Sequence, residues 1–157
     1  MQKEKKADIY RKLIGEIESV LDGCPDMISG MASVASILHH GFSGFFWTGF
    51  YRVSKPSELV IGPYQGTLAC LTIPFDSGVC GLSADSRETV VVDDVEDFEG
   101  YIACDKRTSS EIVVPVFSAE DKLVGVLDID STELSAFDMT DAEYLQEICR
   151  VLGEKCC

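Results

Sequence analysis

The sequence predicts an α+β architecture, with a central, mostly antiparallel sheet and N- and C-terminal helices packed on one of its faces. Three observations lead there. Apolar stripes of helical period are confined to the two ends of the chain. Short aromatic and β-branched runs fill the middle, and Gly, Pro, Ser and Asp separate those runs at turn distances.

At the N-terminus Ile9, Leu13, Ile17, Val20 and Leu21 recur at helical spacing, until Gly23 and Pro25 punctuate the run. A second helix carries Met27, Met31, Val34, Ala35 and Leu38 on one stripe. Phe45 to Val53 favours a strand, paired through a turn at Ser54–Ser57 with Glu58–Gly62. Gly62-Pro63-Tyr64-Gln65-Gly66 reads as a tight turn, and Leu68–Pro74 as a third strand carrying Cys70. Gly78 to Arg87 reads as a loop and short helix, followed by the strand Thr89–Val92. Asp93 to Ser110 is polar, contains Gly100 and has the character of a long functional loop.

Glu111–Phe117 and Leu123–Asp130 complete the sheet around the turn Ala119–Lys122. Asp138 or Thr140 caps the last helix, and Thr140 with Glu143 has capping-box spacing. Met139, Ala142, Leu145, Ile148, Cys149 and Leu152 supply that helix with a core stripe. One domain is expected over 1–157, with helices in 1–40, the sheet and its loops in 45–131, and the last helix in 138–155.

Composition narrows the function. A formal net charge of -14 argues against nucleic acid as a partner. Lys3, Lys5, Lys6, Arg11 and Lys12 crowd the start, but no apolar targeting segment follows them, and no apolar run is long enough to span a bilayer. A soluble, cytoplasmic protein is expected. Seven cysteines cannot all pair within one chain. No CxxC occurs and the only histidines are the neighbours His39 and His40, so no zinc site of usual spacing is expected. Thiols that are buried or redox-active remain.

Strand alternation sorts the candidate residues. Trp47 and Tyr51 share a strand face, about 13 Å apart along it. Asp128 and Asp130 share a face with Val124 and Val126, while Leu127 and Ile129 take the other. The two carboxylates either cap a strand end or line a pocket where each raises the other's pKa and one stays protonated; Glu111 is placed to join them. Cys24 and Cys149 read as small core residues, and Cys156 and Cys157 as part of a frayed tail without function. Cys80 lies near a helix start that would favour a thiolate, and Cys104 precedes Lys106 and Arg107, which would lower its pKa if they faced it.

Leu68-Ala69-Cys70, Gly78-Val79-Cys80-Gly81 and Ile102-Ala103-Cys104-Asp105, with Ser110-Glu111-Ile112-Val113 and Gly125-Val126-Leu127-Asp128-Ile129-Asp130-Ser131, strongly resemble the free methionine-(R)-sulfoxide reductases, which are GAF-fold enzymes. The resemblance runs from about Trp47 to the final helix. It implies a GAF-like fold and a reductase of free L-methionine (R)-S-oxide that needs no metal or organic cofactor. It also implies Cys104 as the nucleophile that becomes a sulfenic acid, Cys70 as the thiol that resolves it to a disulfide, and Cys80 as a third motif cysteine, placed for disulfide relay. Glu111, Asp128 and Asp130 would surround the sulfoxide oxygen, and Trp47 and Tyr51 would wall the pocket. A homodimer recycled by thioredoxin is the implied working form. The chain departs from the family pattern at Phe46 and Tyr101, where Asn and His are usual. Two other functions stay open beside this one: a GAF small-molecule sensor without turnover, and a cysteine redox switch.

Overall fold

Alternation along β1 (Trp47–Lys55), β5 (Ser110–Phe117) and β6 (Leu123–Ser131) decides which side chains meet helices and which meet the pocket. A computed structural model describes residues 1–157. Its remaining elements are α1 (Lys3–Val20), α2 (Met27–Gly41), β2 (Glu58–Gln65), β3 (Thr72–Pro74), α3 (Gly78–Ser86), β4 (Val90–Val92) and α4 (Met139–Cys156). The six strands form one sheet in the order β3-β2-β1-β6-β5-β4, antiparallel throughout. No helix is long and apolar enough to cross a membrane.

On one face, Phe50, Ile112, Val114, Leu127 and Ile129 pack with α1, α2 and α4 through Tyr10, Leu13, Ile17, Met31, Leu38, Leu145 and Leu152. This larger core holds the sheet, each fully buried aliphatic side chain contributing roughly 1.5–3 kcal/mol. On the other face, Trp47, Tyr51, Val113 and Val126 pack with Val79, Cys80 and Ala84 of α3. The expected architecture is therefore present, with α3 covering the face opposite the terminal helices.

A buried ionic contact joins the two ends of the chain. Lys6 Nζ donates to Asp141 Oδ2 at 2.6 Å and the Tyr10 hydroxyl donates to Asp141 Oδ1 at 2.6 Å. Asp141 also closes a capping box with the N-cap Asp138. The expected Thr140–Glu143 box is replaced by this one, because Asp138 is the residue in extended conformation before the first turn.

Other boundaries also move. β2 runs on through Pro63 to Gln65, because Pro63 falls where the β1–β2 register slips and no ladder N–H is required of it. β3 keeps only Thr72–Pro74, and Cys70 lies outside it, where the chain leaves the sheet to meet Cys104. Val20 and Met139, expected in core stripes, are 51% and 67% exposed, since each stands at a helix end beyond the packed turn.

The expectation for the tail is also corrected. α4 continues to Cys156, which is buried and disulfide-bonded to Cys24 with Cα atoms 5.3 Å apart. Gly30 makes the approach possible: a Cβ there would lie 2.7 Å from Leu152 Cδ1 and 2.5 Å from Cys156 Sγ. The bond spans a sequence separation of 132 residues, for which chain entropy alone gives about 5 kcal/mol. The oxidised Cys24→Ala/Cys156→Ala double variant is accordingly expected to melt well below the oxidised parent, by several degrees at least, in a thermal scan. An unchanged Tm would mean that the helices hold each other without the bond.

Candidate active site

The β1–β6–β5 register brings the acidic side chains together. Asp130 pairs with Trp47 on one side and Glu111 on the other, and Asp128 pairs with Gly49 and Val113. All these positions face α3, so Glu111 and Asp128 are each only 5% exposed. Gly49 has a spatial reason: a Cβ there would lie 2.7 Å from the Trp47 ring. The indole leans across this gap and stacks with Tyr51 at 6.0 Å and Tyr64 at 5.2 Å between centroids. Trp47 and Tyr51 thus converge rather than standing a full strand separation apart.

A cavity of about 30 Å³ lies over this floor. Trp47, Tyr51, Cys80, Cys104, Glu111, Asp128 and Asp130 all line it, and Cys70 is joined to Cys104 at its mouth with Cα atoms 5.5 Å apart. Every candidate residue read from the sequence is gathered here. A larger groove of about 760 Å³, between α4 and the β4–β5 edge, contains none of them.

Burial is the main influence on the titrating groups. It raises Asp128 from the usual carboxylate range to about 6, partly opposed by hydrogen bonds from Glu111 and Cys80. Glu111 is raised well above its ordinary value by burial, then by the neighbouring Asp128 and Asp130. Asp130 is raised by burial and by Asp128. Glu111 and Asp130 therefore hold protons that Asp128 gives up first. One oxygen of Asp128 and one of Asp130 are buried with no hydrogen-bond partner, an arrangement that awaits a polar ligand.

The thiols differ from expectation. Cys80 follows the start of α3, but burial and then the adjacent carboxylates raise its pKa, so it stays a neutral thiol. Desolvation and negative neighbours outweigh the helix terminus. Arg107 does not serve Cys104; its guanidinium binds Asp105 at 2.8 Å and lies 4.9 Å over the Phe46 ring. Lys106 is exposed. Of the pocket thiols, Cys104 is exposed, Cys70 half-buried and Cys80 buried.

Several lining residues had no role in the sequence reading. Tyr101 lines the pocket, and burial followed by the Glu111, Asp130 and Asp128 charges keeps its phenol protonated. Its position just before Ile102-Ala103-Cys104 was the available signal. Thr67, just before the lining residues Leu68 and Ala69, ties β1 to the Cys104 loop: its carbonyl accepts from Trp47 Nε1 at 2.8 Å, and its hydroxyl donates to Asp105 at 2.8 Å. Nothing in the sequence pattern marks that link.

Comparison with known proteins follows the same lines. Residues 20–154 match the GAF domain family. The chain is 41% identical to GAF domain-containing protein A of Dictyostelium discoideum, covering 97% of this chain and 95% of that one. It is 36% identical to the free methionine-R-sulfoxide reductase of Saccharomyces cerevisiae, covering 96% and 87%. A crystal structure of free methionine-R-sulfoxide reductase from Neisseria meningitidis in complex with its substrate superposes with a TM-score of 0.91 at 46% identity, over 96% of this chain and 89% of that one.

The carboxylates make stability pH-dependent in a direction set by their raised values. The folded protein holds protons that the unfolded chain releases near pH 4, so stability falls as pH rises from there through about 6 and is not regained above it. Asp128→Asn removes the Asp128 share of this penalty, while burial keeps Glu111 and Asp130 raised. It is expected to be more stable than the parent at pH 8, on the order of 2 kcal/mol by denaturant titration, with the gain shrinking toward pH 4.

Proposed function

The chain belongs to the free methionine-R-sulfoxide reductase family of GAF domains, and from that premise we propose that it reduces free methionine-R-sulfoxide to methionine with Cys104 as nucleophile. One observation carries this reading: the Cys70–Cys104 disulfide closes a pocket whose floor is three carboxyl groups with two unpartnered oxygens. A sulfoxide is a poor electrophile until its oxygen is protonated. Glu111 and Asp130, held neutral by burial and by Asp128, are the groups suited to donate that proton.

The Cys104 thiolate attacks the sulfur while the oxygen takes a proton from the acid cluster. The hydroxyl so formed then passes from that sulfur to Cys104 Sγ as the new S–S bond breaks; methionine departs with one electron pair returned to its sulfur, and Cys104 is left as a sulfenic acid. The Cys70 thiol then displaces water from that sulfenic acid and forms the disulfide seen here. Two electrons and two protons from an external dithiol restore both thiols by exchange. Thioredoxin is the proposed dithiol, and the exposed position of Cys104 supports direct attack on this bond. Cys80, buried and protonated beneath the pocket, is proposed to orient Asp128 rather than to meet the reductant.

The disulfide-closed pocket has room for about two waters, far less than the substrate needs. Reduction must therefore free the Cys70 and Cys104 segments before binding. Trp47 is the only tryptophan and lies in the pocket, so it reports on occupancy. Adding the sulfoxide to the reduced Cys104→Ser protein is expected to change Trp47 fluorescence saturably, and adding it to the oxidised parent is not. An equal response in both would remove the gating role given to the disulfide.

Turnover separates the enzyme from a sensor or a redox switch. With thioredoxin, its reductase and NADPH, the protein is expected to consume NADPH when given free methionine-R-sulfoxide. No consumption, with controls working, would sink the assignment. Cys104→Ser is expected to release no methionine in a single-turnover assay. Cys70→Ser is expected to release about one equivalent and then stall.

A further inference from the structure

The pocket floor also holds a donor set of a different chemistry. Cys80 Sγ, an oxygen of Glu111 and an oxygen of Asp128 lie within 4.8 Å of one another, all on buried side chains. They come from α3, β5 and β6, so no chelating spacing in the sequence reveals them. A second observation points into the same space: one oxygen of the 5%-exposed Asp128 has no partner, and neither does one oxygen of Asp130 at the pocket. Buried anionic oxygens are costly unless a proton or a cation meets them.

We propose that Cys80, Glu111 and Asp128 bind a zinc-class divalent cation, and that this cation competes with the sulfoxide for the pocket. The competition rests on the reductase reading; the metal site does not. One sulfur and two carboxylates suit zinc or cadmium, whereas magnesium and calcium take six or more oxygen ligands. Donor atoms of a tetrahedral zinc site lie about 3.5 Å apart, so this triad needs to close by little more than an ångström at its widest. Asp130 lies beside it to supply a fourth oxygen, with water as the other candidate. The small cavity admits an ion where it excludes the substrate, and the acidic chain draws cations toward it. Binding replaces the protons of the Cys80 thiol and the Glu111 acid with the metal, and no electrons move.

Cadmium is the probe, titrated into the oxidised Cys157→Ser protein. There Cys24, Cys70, Cys104 and Cys156 are disulfide-bonded and the exposed free thiol is gone, leaving Cys80 and Cys149. One equivalent is expected to raise a cadmium–thiolate charge-transfer band. X-ray absorption at the cadmium edge is expected to find a single sulfur among oxygen neighbours. That second measurement needs no pocket variant, so it stands even if one misfolds. Cys80→Ser is expected to lose the band, Glu111→Gln to weaken binding with the band retained at saturation, and Cys149→Ser to change neither. No band, a band that survives Cys80→Ser, or an all-sulfur shell would overturn the site. These readouts use no substrate, so they do not depend on turnover. With turnover established, zinc that binds but leaves the rate unchanged at low substrate would overturn the competition.

Discussion

The antiparallel register of β5, β6 and β1 is the constraint on which the rest of the molecule depends. Leu127 and Ile129 face the helices while Asp128 and Asp130 face α3, so the same four consecutive residues serve both a hydrophobic core and a polar pocket. A slip of one residue would exchange the two sets. It would drive carboxylates into the packing against α1, α2 and α4 and leave the pocket floor aliphatic. The helix-side core thus determines which face the acids take, because its burial energy penalises any slip by an odd number of residues.

The pocket works against stability. Three carboxyl groups, a thiol and two phenols are held out of water on one face, and burial raises the pKa of each acid. Groups in such a state lower the stability of the fold at neutral pH. The helix layer offsets this from the opposite face, through its larger apolar core, the Lys6–Asp141–Tyr10 contact and the Cys24–Cys156 bond. This division assigns stability to the terminal helices and chemistry to the central sheet.

Much of this organisation was legible in the sequence, for a physical reason. Helical period and strand alternation are local properties, and they correctly separated Leu127 and Ile129 from Asp128 and Asp130 and grouped Trp47 with Tyr51. The misses share a different origin. The Cys24–Cys156 pairing depends on how α2 and α4 cross, which Gly30 permits and no local pattern announces. Arg107 was judged by its closeness in sequence to Cys104, yet Asp105 is closer still and accepts its guanidinium. The helix end beside Cys80 is a local signal, whereas its charge state follows from burial first and then from carboxylates on β5 and β6. The resemblance to a family supplied an order of roles among the cysteines that periodicity could not.

Burial makes those cysteines unequal in a way that bears on how the pocket is recycled. A thiol–disulfide exchange needs an attacking thiolate to reach a sulfur along the S–S axis. Cys104 is exposed and Cys70 half-buried, so that bond is open to an external dithiol, whereas Cys156 lies in the packed layer between α2 and α4. Cys80 is reached only through the pocket, behind the bond that closes it. A reductant arriving from solvent therefore meets one disulfide before any other. In the proposed cycle, breaking it also frees the Cys70 and Cys104 segments that close the pocket, so recycling the thiols and opening the site would be a single event.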